Sequence, residues 1–342
     1  MTDVLVEPEV ASDPLAPVLK IECLNVDFHT IDGWVRVVDD VSLVVPAGTT
    51  VGLVGESGSG KTVTSLAAIG LLPPDTTRVT GSIRLAGEEL VGASSARLSR
   101  RRGRDVAMVF QEPRRSLDPV FTVGYQIAEV LRRHEGLDRR AARSRAVEML
   151  DRVGIADAER RFGAYPHEFS GGMCQRVMLA IALACRPRLL IADEATTALD
   201  VTVQKEMLAL MNDLQDELGV AILFITHDLS VVAETCDWVN VMYAGQVVES
   251  TAVDRLFHEP RHPYTEGLLA AIPDPQRRRL QAIPGVVPAP TSWPTGCRFS
   301  PRCDYAREGV CTSGAIPLEP AGGAQLTRCA RHAEIELKGV LA

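Results

Sequence analysis

Residues 18–50 alternate between apolar and polar positions. Leu19, Ile21, Leu24, Val26 and Phe28 mark one run, and Val35, Val37, Val41, Leu43 and Val45 the next. A two-residue period places such side chains on one face of a strand, so the pattern predicts antiparallel strands with a turn at Asp32-Gly33. Thr50-Val51-Gly52-Leu53-Val54 is a continuous β-like run, and Val63–Ile69 behind it is helix-like. Val79–Leu85, with Gly81 and Gly87, predicts a further hairpin. Val106–Phe110 predicts a short buried strand ending at Gln111. From about 122 to 183 the period becomes helical: Ile127, Val130 and Leu131 share one face, and Ala146, Val147, Met149, Leu150 and Val153 another. Leu189–Ala192 and Ala221–Thr226 are unbroken apolar runs, as central parallel strands are. An amphipathic helix over Lys205–Leu218 separates them. Residues 239–250 predict a hairpin around Ala244-Gly245. From about 259 proline becomes frequent and the pattern irregular, which marks an appended loop-rich region.

Composition narrows the class. The chain has 342 residues, 46% hydrophobic and 23% charged, which suits a globular protein with room for more than one domain. Its longest apolar run, Val177–Cys185, is about half of what a bilayer-spanning helix needs, so no span is expected. The N-terminus is acidic and contains proline, without a basic stretch leading into an apolar core. It therefore does not read as a secretory signal, and residues 1–17 are expected to form a loose tail. Lysines and arginines number 36 against 44 acidic residues, a net charge of −8 that argues against a nucleic-acid partner. The basic run Arg97–Arg104 is read as a solvated helix face.

The chemistry is concentrated in a few short stretches. Gly55-Glu56-Ser57-Gly58-Ser59-Gly60-Lys61-Thr62 fits G-x-x-x-x-G-K-[ST] and lies between a strand-like and a helix-like segment. Glycines there let backbone N–H groups close around phosphates. Lys61 would reach the β- and γ-phosphates, and the Thr62 hydroxyl would ligate Mg²⁺. Leu189–Glu194 is a hydrophobic strand ending in two carboxylates: Asp193 to hold Mg²⁺ and Glu194 to polarise an attacking water. Ser170-Gly171-Gly172 precedes a helix and offers a hydroxyl and bare amides to an anion. Gln111 ends a strand where an amide could meet Mg²⁺ and the water, and His227 follows a core strand, placing an imidazole near a γ-phosphate. Each stretch alone has a structural explanation: a Gly/Ser turn, an acidic strand end, a helix cap, a surface glutamine, a strand-end histidine. Their order along one chain points instead to nucleotide hydrolysis.

In that order the chain resembles the ATP-binding-cassette (ABC) ATPases over roughly residues 18–258. The matching residues are Gly55–Thr62 (Walker A), Gln111 (glutamine loop), Ser170-Gly171-Gly172 (signature), Leu189–Glu194 (Walker B), Ala198-Leu199-Asp200 (D-loop) and His227 (switch histidine). The resemblance implies an α/β P-loop ATPase of the ABC type: a mixed sheet core, an antiparallel β subdomain and a helical subdomain over about 112–178. It also implies a head-to-tail dimer sandwiching two ATP molecules, in which the signature serine and Asp200 serve the facing nucleotide. Trp34 or Phe28 would supply the ring that stacks on adenine. Three positions depart from the family's pattern: Ala195 stands where proline is usual, Phe169 where the signature starts with leucine, and Cys174 where this branch carries arginine. None removes a phosphate or water contact, so hydrolysis is expected to survive.

A finer resemblance is to the peptide-importer branch, and it extends to about residue 335. It rests on Phe110–Pro113, Ser116–Gly124, Asp193–Gln204, His262-Pro263-Tyr264-Thr265 with Leu268–Pro273, and Gly296–Cys303. It implies that residues 259–342 form that branch's C-terminal extension. It further implies a peripheral motor on the cytoplasmic face of the plasma (inner) membrane, beneath two membrane permease subunits. A second ATPase subunit, identical or paralogous, and an extracytoplasmic solute-binding protein complete the assembly. Di- or oligopeptides are the expected cargo. Nickel or another small solute is the alternative within the family, and a soluble cassette acting on nucleic acid or ribosomes the alternative outside it.

Four of the eight cysteines fall in the last 46 residues: Cys297, Cys303, Cys311 and Cys329. A chain that uses ATP belongs in a reducing compartment, which favours a metal site over two disulfides. The spacing lacks a C-x₂-C pair, so an ordinary zinc finger fails. A [4Fe–4S] cluster, which some members of the resembled family carry, is the first expectation, with Zn²⁺ or no metal as alternatives.

Overall fold

The computed structural model describes residues 17–195, 200–272 and 282–340. The expected tail over 1–17, all but its last residue, and the Ala198-Leu199 step of the D-loop lie outside them. Contacts divide the chain into two compact units that do not follow chain order. One takes residues up to Pro46, Thr50–Val91 and everything from Thr226 onward; the other takes Ala47–Thr49 and Gly92–Ile225.

In the first unit, β1 (Pro17–Thr30) and β2 (Gly33–Pro46) pair antiparallel across the expected turn. Leu19 and Ile21 are odd-numbered and Leu24 and Val26 even, yet all four are fully buried. A register shift between Ile21 and Leu24 accounts for this. Cys23 sits there at φ 49°, the extra residue that returns the apolar set to the same face. After β3 (Thr50–Val54) and α1 (Lys61–Ala68), β4 (Thr77–Leu85) pairs with the other edge of β1, and the two-residue β5 (Glu88–Glu89) follows it.

The second unit opens with α2 (Ser95–Arg101), β6 (Val106–Val109) and α3 (Pro113–Ser116). Then come α4 (Val123–Glu135), α5 (Arg139–Arg152), α6 (Ala158–Arg161) and α7 (Gly171–Leu183). It closes with β7 (Leu189–Asp193), α8 (Val201–Leu218) and β8 (Ala221–Thr226). β7 pairs in parallel with both β6 and β8, and every residue of β7 and β8 is buried, as their unbroken apolar runs require. Ile127, Leu131, Ala146, Met149, Leu150 and Val153 are buried on the helical faces read from the sequence. Thr122, Asp138, Ser170 and Asp200 cap α4, α5, α7 and α8, each side chain accepting from the amide three residues on.

The chain then re-enters the first unit through α9 (Leu229–Thr235), β9 (Trp238–Tyr243), β10 (Gln246–Ala252), α10 (Val253–His258) and α11 (Pro263–Ala270). β9 lies parallel to β3 and antiparallel to β10. Two short strands from the Pro-rich region, β11 (Glu319–Pro320) and β12 (Leu326–Thr327), extend this sheet from the edge of β10. The region beyond residue 259 therefore shares a core with β9 and β10. The Tyr243, Tyr264 and Phe299 rings meet at its centre, with centroids 4.6 to 5.4 Å apart.

One carboxylate is enclosed in this core. Glu249 of β10 accepts from the backbone amides of Arg261 (2.7 Å) and His262 (2.9 Å) and from the Gln325 side chain (2.8 Å). Burial pushes its pKa up to about 7, against hydrogen bonds that pull it down. A folded pKa above the ordinary 4.5 contributes stability that is complete below that value and lost as pH rises through about 7. The unfolding midpoint should therefore fall between about pH 5 and pH 8, and Glu249→Gln should flatten that slope. An equal slope in the variant, followed by circular dichroism, would assign the pH dependence to other groups.

Candidate nucleotide-binding site

Gly55–Thr62 runs from the end of β3 into α1, as the sequence requires. Contact fixes two of its glycines. A Cβ on Gly55 (φ 153°) would fall 2.1 Å from the Met242 carbonyl oxygen, and one on Gly60 (φ 102°) would fall 2.8 Å from the Met242 methyl. Gly60 is the N-cap of α1 and, having no side chain, supplies no capping oxygen to the positive end of its dipole. Lys61 is buried, and its Nζ donates to the carbonyls of Gly55 (2.7 Å) and Glu56 (3.0 Å). Among the described residues the buried hydroxyl of Ser59 has no hydrogen-bond partner, an orphan that a phosphate oxygen would satisfy. Ser57, Gly58 and Thr62 are exposed. The loop is tied down from outside: the Glu56 amide donates to the Tyr264 hydroxyl (2.8 Å), and the Ser59 carbonyl accepts from the Gly245 amide (2.8 Å).

In the second unit, β6 and β7 are neighbours with Val109 opposite Ala192, so their C-terminal ends lie side by side. Gln111 and Glu194 leave those ends, and the Gln111 Nε2 donates to Glu194 Oε2 at 2.7 Å. Glu194 holds a left-handed backbone at φ 48°, secured by its amide donating to the Ile225 carbonyl (2.9 Å). Asp193 is buried at the end of β7. Ser170 is exposed and caps α7 through the Met173 amide (3.3 Å); Asp200 caps α8 through the Val203 amide (3.0 Å). Val203 also touches Gly172, where a Cβ would fall 2.9 Å from Val203 Cγ1, whereas Gly171 has open space around it. The signature residues and Asp200 thus meet at two helix starts.

His227 belongs to the first unit; it is exposed, between β8 and the Asp228 cap of α9. Trp34 is half-exposed on β2 with the Arg78 guanidinium 3.8 Å from its ring centroid and the His29 edge at 5.0 Å. Phe28 is half-buried in β1.

None of the eight cysteines is paired in a disulfide. Cys297, Cys303, Cys311 and Cys329 line one narrow cavity with His262, Phe299 and Ile335. Burial pushes Cys303 up to about 11 and Cys329 up to about 12, and raises Cys297. No three His, Cys, Asp or Glu side chains among the described residues are arranged to hold a metal ion.

The residues that motif reading missed are Tyr264 and Arg302, which meet Glu56 from the C-terminal region. Arg302 stands between Pro301 and Cys303, in the stretch Gly296–Cys303 whose likeness to the peptide-importer branch assigned it no role.

The chain matches the ABC transporter family over residues 38–197 and the oligopeptide/dipeptide transporter C-terminal region over residues 248–311. A protein of Brucella abortus (strain 2308), named as a peptide import ATP-binding protein, is 51% identical over 316 residues, 92% of this chain and 95% of its own. Another from the same strain, named likewise, is 50% identical over 333 residues, covering 93% and 98%. Among solved structures, cbiO1 from Clostridium perfringens, part of the ABC transporter complex cbiONQ, superimposes with a TM-score of 0.60 at 27% identity, over 70% of this chain and 90% of that one. The dimeric ATP-binding cassette MJ0796 bound to ADP and Pi shares the fold, with a TM-score of 0.61 at 24% identity over 69% of this chain and 98% of that one.

The two signature glycines should behave differently when replaced. Gly172→Ala drives a methyl into the stiff Val203 side chain and should cost about 1–3 kcal/mol of stability. Gly171→Ala meets nothing and should be neutral or mildly stabilising. Equal melting temperatures for the two variants would contradict the close approach of α7 to Val203.

Proposed function

The chain belongs to the ABC transporter ATPases that carry the oligopeptide/dipeptide C-terminal region, and on that premise we propose that it is the ATP-hydrolysing motor subunit of a membrane importer of di- and oligopeptides. The observation that carries the catalytic part is the Gln111–Glu194 hydrogen bond at neighbouring strand ends. It joins an amide and a carboxylate where both can hold one water.

In this reading Lys61 exchanges the carbonyls of Gly55 and Glu56 for β- and γ-phosphate oxygens. Ser59 and the start of α1, whose N-cap is a glycine, add donors. Glu194 accepts the proton of the attacking water, Gln111 orients that water, and His227 donates to the γ-phosphate. Thr62, Gln111 and Asp193 supply hydroxyl, amide and carboxylate oxygens, a set that suits Mg²⁺; they would hold the ion, which would neutralise phosphate charge. Ser170, Gly171, Gly172 and Asp200 complete the nucleotide site of a second cassette, identical or paralogous, in a head-to-tail pair. Trp34 or Phe28 stacks on adenine. ATP is then the contact that closes the pair, and its cleavage lets the pair open.

No helix among the described residues is long and apolar enough to cross a membrane. The channel is supplied by two permease subunits and the peptide by an extracytoplasmic binding protein, with this chain peripheral on the cytoplasmic face. Val120, Phe121 and Tyr125 are exposed, and the last two rings stack at 4.9 Å. They offer an apolar patch suited to a short coupling helix of a permease. The four clustered thiols are proposed to hold a [4Fe–4S] cluster with a structural role. They line one cavity, and Cys329 feels the other three electrostatically. The spacing, which lacks a C-x₂-C pair, is what favours the cluster over Zn²⁺ in this reading.

Glu194→Gln should lower turnover by about 10²–10⁴-fold while ATP stays bound. Turnover retained in that variant would remove Glu194 from its role. Anaerobically purified protein should show broad absorbance near about 400 nm, lost on acidification; a featureless spectrum rules out the cluster.

A further inference from the structure

We propose that the C-terminal region sets the ATP affinity of the cradle through Arg302, a positioning residue that acts on Glu56. The inference rests on reading Gly55–Thr62 as an ATP site. It goes further in assigning the loop's geometry and charge to residues more than 200 positions away in the chain.

Glu56 is the first variable residue of the phosphate loop and is gripped at three points. Its carboxylate receives a two-pronged contact from Arg302, Nη1 to Oε2 at 2.7 Å and Nη2 to Oε1 at 3.1 Å. Its amide donates to the Tyr264 hydroxyl at 2.8 Å. Its carbonyl accepts from Lys61 at 3.0 Å and from the Ser59 amide at 3.2 Å. Two of these grips come from beyond residue 259, and the third is the lysine that must meet the phosphates.

Arg302 cannot drift. Its Nε donates to the Pro284 carbonyl (2.7 Å), Nη2 also to the Ile283 carbonyl (3.3 Å), and Nη1 also to the Tyr243 hydroxyl (3.3 Å). Its side chain is 5% exposed and that of Glu56 32%. A planar guanidinium with its donors so committed fixes the carboxylate in direction as well as in distance.

Charge gives the arrangement its consequence for affinity. An unpaired carboxylate on the loop would repel the triphosphate that the loop is built to enclose. Arg302 neutralises Glu56 and turns it away from that role. Removing the guanidinium leaves a negative charge and a loosened loop, which weakens ATP binding without touching Glu194 or Gln111.

The test uses the full chain, with KM and kcat for MgATP, equilibrium ATP binding and thermal melting. Arg302→Met should raise KM about tenfold with kcat within about twofold. Glu56→Gln should raise it no more than about threefold. Arg302→Met added to Glu56→Gln should then change KM by less than about twofold, because the charge to be neutralised is gone. Arg302→Lys keeps the charge without the fork and should fall between; it serves if the methionine variant does not fold. An unchanged KM in Arg302→Met or Arg302→Lys overturns the proposal. So does a tenfold loss that persists beside Glu56→Gln, or a loss confined to kcat. Failure of the unaltered chain to bind ATP would instead remove the reading of the cradle itself.

Discussion

The carbonyl oxygen of Met242 leaves no room for a single methyl at Gly55. The phosphate loop is therefore seated on the backbone of β9, and its shape is only as well defined as that strand. β9 is in turn held by β3 in parallel and β10 in antiparallel register, and its last residue, Tyr243, lies in the aromatic cluster with Tyr264 and Phe299. Whatever orders β9 and β10 orders the cradle. Gly55 answers to this contact, since a side chain at φ 153° would be both strained and blocked by backbone, whereas Gly60 answers to its φ of 102°, because the Met242 methyl facing it can move aside.

This gives the C-terminal region a physical reason to exist beside the loop. It is proline-rich, and among the described residues it forms one eight-residue helix, α11, two single 3-10 turns and two two-residue strands, with its apolar side chains packed on the core of β9 and β10. It also uses buried guanidinium groups. Arg298 bonds Asp39 and the Ala244 carbonyl, Arg302 bonds Glu56, and Arg328 bonds Asp40 and the Val247 carbonyl. Burial pulls Arg298 down to about 10, still charged at neutral pH. Each cation is matched by a carboxylate and by carbonyls, which is the condition under which a buried charge is tolerated. The three carboxylates lie on β2 and the phosphate loop, and the Ala244 and Val247 carbonyls in the β9–β10 hairpin, so the region cannot loosen without disturbing the platform beneath the proposed nucleotide site.

Much of this was legible from residue order, and the division is physical. Alternation placed β1 and β2, but the single run read from Leu19 to Phe28 changes parity at Leu24, where the register shift beside Cys23 returns the apolar set to the same face. The places of the cradle, Asp193, Glu194 and Gln111 in the fold were legible because local chain order dictates them: a loop between strand and helix, or a polar residue at the end of a buried strand. Glu249 was not. It sits in a hairpin strand whose polar positions read as solvent-facing, and only the return of Gln325 and the amides of Arg261 and His262 encloses it. Arg302 was illegible for the same reason, since its meaning depends on a contact with Glu56 that no local pattern records. The two signature glycines read alike in sequence, and only the approach of Val203 separates them.

Glu194 shows how the site manages without the proline that usually follows it. A left-handed backbone at a non-glycine residue costs on the order of 1–3 kcal/mol. Ala195 is fully buried but puts no ring constraint on its neighbour. The conformation is held by hydrogen bonds instead: the Glu194 amide to Ile225, and the carboxylate to Gln111. The second bond also sorts the two ends of the glutamine amide. With Nε2 committed to Glu194, the end of Gln111 left for a cation is its oxygen, the only atom of that amide able to serve as a ligand. In the proposed reading, one hydrogen bond between neighbouring strand ends would thus set the direction of the carboxylate that takes the proton and leave the amide oxygen as the atom to meet the metal.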